Sequence, residues 1–110
     1  MDERSGTTLL RRHFEAVGLA IEEGYRFQAE GIDLSLDGFD PARRVGYEYV
    51  TTEAGDRAEL TPGVVARLEE MMQRGELYVL LLDEREAVSE HDLSRAADLF
   101  LGELRKRGFL

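Results

Sequence analysis

Four carboxylates, Asp33, Asp37, Asp40 and Glu48, lie close together in this chain. Acids on neighbouring strand ends are a common way to build a divalent-metal site or a hydrolytic centre, because hard cations take oxygen ligands and activate water. The stretch that holds them, Tyr25 to Thr52, reads as a β-hairpin. Asp33, Asp37 and Glu48 are the candidate metal ligands. The partners such chemistry needs are missing, since the same stretch has no lysine and no histidine. No catalytic residue and no cofactor is assigned.

Asp33 to Gly38, DLSLDG, follows the opening of a calcium loop, with oxygen ligands at alternate positions and glycine at the sixth. That loop needs a bidentate glutamate at its twelfth position, where this chain has Arg44. Leu34 and Leu36 also alternate with the polar residues, which is strand periodicity. Asp33, Ser35 and Asp37 then form the wet face of a strand, and Asp40 before Pro41 starts a turn.

The same acids, set in the element order given below, are similar to the core of the restriction-endonuclease-like fold. Its nucleases carry an Asp on one strand and Glu-x-Lys on the next. The resemblance implies that Asp33 or Asp37 is the Asp, Glu48 is the Glu, and the two could hold Mg²⁺. Val50 occupies the lysine position and can neither orient nor activate water. What the resemblance implies is therefore a degenerate, metal-dependent nuclease-like domain using the hairpin carboxylates.

Other chemistry is sparse. His13 and His91 fall on different predicted helices, without a ligand partner one turn away. Ser5, Ser35, Ser89 and Ser94 have no base within sequence reach. Tyr47 and Tyr49 share one face of a predicted strand. Turned outward, they form an aromatic patch beside Arg43 and Arg44, residue types favoured at interfaces. Turned inward, they pack under a helix. Arg43, Arg44, Tyr47 and Tyr49 are the candidate interaction residues.

The elements that must position these side chains follow from periodicity and caps. Leu10, Phe14, Val17 and Ile21 form a helical stripe that predicts a first helix over about residues 7–23. Ser5, Thr7 or Thr8 is its expected cap, Gly24 its end, and Gly18 the mark of a close crossing. Ile32, Leu34 and Leu36 predict a strand, with a bulge at Gly31 where the apolar parity changes. A turn over Asp37 to Arg44 leads to a strand over Val45 to Thr51. Residues 52–59 read either as a loop or as a short third strand.

Thr61 and Pro62 open a second helix and Gly75 ends it. The apolar run from Leu77 to Leu82 predicts a central strand covered on both faces. Ser89 and Asp92 open a third helix, with Val88 stapled to Leu93, and Gly108 closes it. The expected fold is α+β in the order α-β-β-(β)-α-β-α. Three helices would cover a small mixed sheet of three or four strands, and residues 1–110 would form one domain.

Composition narrows the function. Of 110 residues, 34% are charged and the net charge is −9. That balance disfavours nucleic acid, which selects cationic surfaces; the local exceptions are Arg11-Arg12, Arg43-Arg44 and Arg105-Lys106-Arg107. The absence of cysteine points to a reducing cytoplasm. The acidic N-terminus is unlike a signal peptide, and no apolar run is long enough to cross a bilayer. The expectation is a small acidic cytoplasmic domain, a non-catalytic protein-interaction or regulatory module. Its partner would be another protein or a second copy of itself.

Overall fold

The computed structural model describes residues 1–52 and 55–110, with backbone alone for residues 56 and 57. Helix α1 spans Glu3–Ala16, followed by strands β1 (Glu22–Ala29), β2 (Ile32–Asp40) and β3 (Val45–Val50). A helical turn, α2 (Asp56–Glu59), precedes helix α3 (Pro62–Gln73), strand β4 (Tyr78–Asp83) and helix α4 (Glu90–Lys106). The four strands form one mixed sheet in the order β1-β2-β3-β4. The first three are antiparallel neighbours, and β4 runs parallel to β3. The α+β class and element order expected above hold, with the extra strand in a different place.

That strand is β1, in residues expected to be helical. Helix α1 stops early because Gly18 takes a left-handed φ of +95°, while the Gly18 and Leu19 N–H groups close the last turn on Glu15 and Phe14. Asp2, not Ser5, Thr7 or Thr8, caps its start, accepting from the Ser5 N–H at 2.8 Å. Gly18 is thus a helix stop rather than a close crossing. Gly24 lies inside β1. Glu30 and Gly31 both have positive φ and form the two-residue hairpin turn whose twist matches its strands. The parity change at Gly31 is this chain reversal, not a bulge. Residues 53 and 54, part of the undecided 52–59 stretch, lie outside the described residues; residues 56–59 are helical.

The sheet has a core on each face. Leu10 and Phe14 of α1 join Leu93, Ala97 and Leu101 of α4 over Val45, Tyr47 and Tyr49. On the other face, Leu68 and Met71 of α3 cover Leu34, Leu36, Phe39 and Val79. Successive strand residues point to opposite faces, so β4 supplies Leu80 and Leu82 to the first core and Val79 and Leu81 to the second. The expectation of a central strand is corrected here: β4 is covered on both faces but lies at the sheet edge.

The caps of α3 and α4 are as expected. Thr61 accepts from Val64 and Ser89 from Asp92, and Gly75 and Gly108 follow with positive φ. Val88 does not act as a staple, being 67% exposed. No described helix is long and apolar enough to cross a membrane.

Candidate functional site

The ladder between β2 and β3 begins at the turn with Asp40 opposite Val45 and runs to Gly38 opposite Tyr47. One more step would place Asp37 opposite Glu48. Instead the two carboxylates replace the backbone carbonyls as acceptors. Glu48 Oε1 takes the Asp37 N–H at 2.9 Å, and Asp37 Oδ2 takes the Tyr49 N–H at 2.7 Å. Glu48 is 1% exposed. A buried N–H must find a partner, and here a side chain from each strand supplies one for the other.

Beside this opening, a cleft of about 270 Å³ is lined by Glu3, Arg4, Thr7, Glu23, Asp37 and Tyr47. The Tyr47 ring lies against Gly38, where a Cβ would collide with it. Burial pushes the Tyr47 phenol above its ordinary pKa, and the charges of Glu23 and Asp37 push it further. It therefore stays a neutral hydroxyl in an acidic surrounding and is unsuited to act as a base.

Asp33 takes no part in this site. It accepts from Arg26 Nε at 2.7 Å and Gln28 Nε2 at 3.3 Å on the exposed face of the β1–β2 hairpin. The Arg26 guanidinium holds its carboxyl below the usual range. The three candidate ligands thus do not converge. Among the described residues no cluster of three or more His, Cys, Asp or Glu side chains could hold a metal ion. Of the pairs implied by the nuclease comparison, Asp33 is remote from Glu48, while Asp37 and Glu48 lie together but each gives an oxygen to a backbone N–H.

Asp40 is a structural acid. Its Oδ1 accepts from the Ala42 and Arg43 N–H groups within the turn, and its Oδ2 accepts from Ala20 N–H at 2.8 Å. Burial raises its pKa, but the three N–H bonds and the Arg43 charge outweigh it and leave the carboxyl below its ordinary value. One carboxylate therefore pins the β2–β3 turn to the segment entering β1.

The four candidate interaction residues are dispersed. Tyr47 and Tyr49 are each 1% exposed and pack beneath α1 and α4, so the inward alternative holds and the outward aromatic patch does not exist. Phe14 meets Tyr47 edge-on at 4.8 Å between ring centroids. Arg44 donates from Nε to the Glu76 carbonyl at 2.7 Å and lies over the Phe27 ring. Arg43 is exposed on the turn.

A constellation hidden from the sequence joins α1 to α4. His13 Nδ1 lies 3.0 Å from Asp98 Oδ1, and its Nε2 lies 3.2 Å from Ser94 Oγ. A carboxylate only accepts, so the bonded tautomer carries its proton on Nδ1 and takes the serine hydroxyl at Nε2. The order of groups is that of a serine–histidine–aspartate relay. Ser94, however, sits inside α4, where backbone N–H groups are used by the helix and cannot form an oxyanion hole. The trio is a clamp between two helices. Its members are separated by 81 and 85 residues, which no motif scan spans.

No protein family, curated protein or solved structure matches this chain. Function must therefore be argued from the molecule's own surfaces.

Proposed function

We propose that this chain is a non-catalytic protein-interaction module working through the edge of its sheet in a reducing compartment. The observation that carries this reading is the outer side of β4. Tyr78 and Glu84 donate their N–H groups to the carbonyls of Arg44 and Val50. Alternation along a strand then turns the N–H and C=O of Val79 and Leu81 away from β3. Among the described residues no strand pairs with that side. Edges are commonly blunted by lysine, proline or other charged side chains; Tyr78 to Leu82 has none of these. The acids that could have done chemistry serve instead as backbone acceptors, which supports a role without catalysis.

The test is capture from native lysate of the source with tagged wild-type chain and with a Leu81→Pro variant. Proline removes the outward N–H without touching the ladder to β3. A protein retained by the wild type, including untagged copies of this chain, and lost with Leu81→Pro is expected. A wild type that retains nothing and sediments as a monomer overturns the reading.

A second reading, a relic of a metal-dependent nuclease-like domain, is favoured by one observation: Asp37 faces Glu48 where β2 and β3 part. Thermal melts with millimolar Mg²⁺ or Mn²⁺ test it, since a ligand bound by the folded state raises the midpoint.

A further inference from the structure

We infer that the cleft between α1 and the sheet, where β2 and β3 part, binds a primary ammonium group held between the Tyr47 hydroxyl and the Asp37 carboxylate. The inference does not rest on the β4 edge; it uses another part of the sheet and is tested separately.

Strand register builds the floor of this cleft. Glu23 of β1 stands opposite Gly38 of β2, and Gly38 stands opposite Tyr47 of β3. With no side chain at Gly38, the Tyr47 ring crosses over it. The ring packs on Phe14 at 4.8 Å between centroids, and its hydroxyl end is carried across β2 toward Glu23. Glu3, Arg4 and Thr7 of α1 form the facing wall of the space, about 270 Å³ in volume.

The hydroxyl points to a ligand. Tyr47 is 1% exposed, and among the described residues no hydrogen bond reaches its Oη. Buried side-chain polar atoms normally have a partner; this one lies at the cleft instead. Asp37 lines the same space. Its Oδ2 accepts from the Tyr49 N–H, while among the described residues its Oδ1 has no hydrogen bond and no cation pairs with it. Burial raises the Tyr47 phenol most, and the nearby Glu23 and Asp37 charges raise it further, though neither carboxylate bonds it. The oxygens are near one another and share no donor.

Charge and donor count select what fits between them. Arg11 is shared by Glu15 and Glu23, so two carboxylates face one guanidinium and the cleft stays negative. A calcium ion takes six to eight oxygen ligands, and among the described residues no cluster of three acids or histidines could hold a metal. An ammonium carries three N–H donors and no acceptor, which suits a few separated oxygens. Arg4 is exposed at the rim, without an ion pair among the described residues, and disfavours a second positive charge. The ligand class is therefore a small monoamine or the ammonium of a lysine side chain.

The experiment is an NMR titration of the labelled full chain with n-butylamine at neutral pH and constant ionic strength. Saturable shifts centred on the Glu23, Asp37 and Tyr47 amides are expected. Tyr47→Phe keeps the ring, removes the acceptor and should weaken binding about tenfold, the scale of one hydrogen bond to a charged group. Asp37→Asn removes the charge and should weaken it at least as much. Glu69→Gln, exposed on α3 across the sheet, changes net charge equally and should leave the affinity unaltered. Butyltrimethylammonium has the same charge without N–H donors and should not saturate these shifts. The inference is overturned by the absence of saturable shifts, by equal binding of the quaternary ion, by wild-type affinity in Tyr47→Phe or Asp37→Asn, or by a Glu69→Gln loss that matches Asp37→Asn. Should Asp37→Asn fail to fold, Tyr47→Phe and the quaternary ion decide. A capped lysine separates the sources: if it binds at least as tightly as n-butylamine, the ammonium belongs to a partner's side chain, and otherwise to a small molecule.

Discussion

Asp37 and Glu48 satisfy each other's strands: Glu48 accepts the Asp37 backbone N–H, and Asp37 accepts the N–H of Tyr49, next to Glu48. Truncating Glu48 to alanine strands a part-buried N–H, which costs about 1–3 kcal/mol. Denaturant unfolding should show this loss for Glu48→Ala. Glu48→Gln keeps an acceptor oxygen and should lose less. If the two substitutions cost the same, the hydrogen bond to Asp37 is not what Glu48 contributes.

Acid should weaken the clasp made by Asp40. Its folded pKa lies below the ordinary carboxylate value, so on acidification the unfolded chain takes up the proton first. The stabilisation is fully present above about pH 4, the ordinary aspartate value, and fades as pH falls through the lower folded value. Urea melts across that range should show a flatter acid limb for Asp40→Asn than for the wild type. An unchanged limb would sink this account.

Alkali acts through Tyr47 with the opposite sign. Its phenol is raised above the ordinary 10.0 by burial and by the Glu23 and Asp37 charges. The contribution is intact below the unfolded value and is lost as pH rises above it, because only the unfolded chain ionises there. Burial raises the Tyr49 phenol as well, so phenolate absorbance for two tyrosines should appear together with the loss of ellipticity. Tyr47→Phe should remove about half of that coupled absorbance. A Tyr47 that titrates normally in the folded chain would contradict its burial.

Two helical glycines should respond in opposite directions to the same substitution. A Cβ on Gly6 of α1 would stand 2.5 Å from Tyr49 Cε2, an overlap that costs about 1–3 kcal/mol. A Cβ on Gly102 of α4 meets nothing within 4 Å, so Gly102→Ala should stabilise by about 1 kcal/mol through helix propensity. Thermal midpoints should fall for Gly6→Ala and rise for Gly102→Ala.

Much of the fold was legible where the signal was local. Thr61 with Pro62, Ser89 with Asp92, Gly75 and Gly108 act within a few residues of one another, so α3 and α4 were placed correctly. Misplacements came from features with two local meanings. Gly18 and Gly24 both suit a helix end, and burial of Leu19 and Ile21 outside the helix decided for Gly18. Glu30-Gly31 was missed as a turn because a glutamate with positive φ is unusual. The apolar run in β4 reported that both faces are covered, which central and edge strands share.

The candidate site was legible in its residues and not in their roles. Asp37 and Glu48 stood out as acids, but their hydrogen bonds depend on a register that only the Asp40–Val45 pairing sets. A Gly38 that leaves room for the Tyr47 ring was the one available hint that Tyr47 points inward. The His13 clamp offered no hint at all.

The core on one sheet face is built from both ends of the chain, with α1 packed against α4, whereas α3 and the three antiparallel strands come from the middle. During synthesis the first helix therefore leaves the ribosome long before its partner exists. The opposite face can be completed first, while Leu10 and Phe14 wait uncovered. Truncations that remove α4 should consequently yield nascent chains whose N-terminal segment is open to protease and to hydrophobic-binding chaperones. Emergence of α4 is then the event that closes this core.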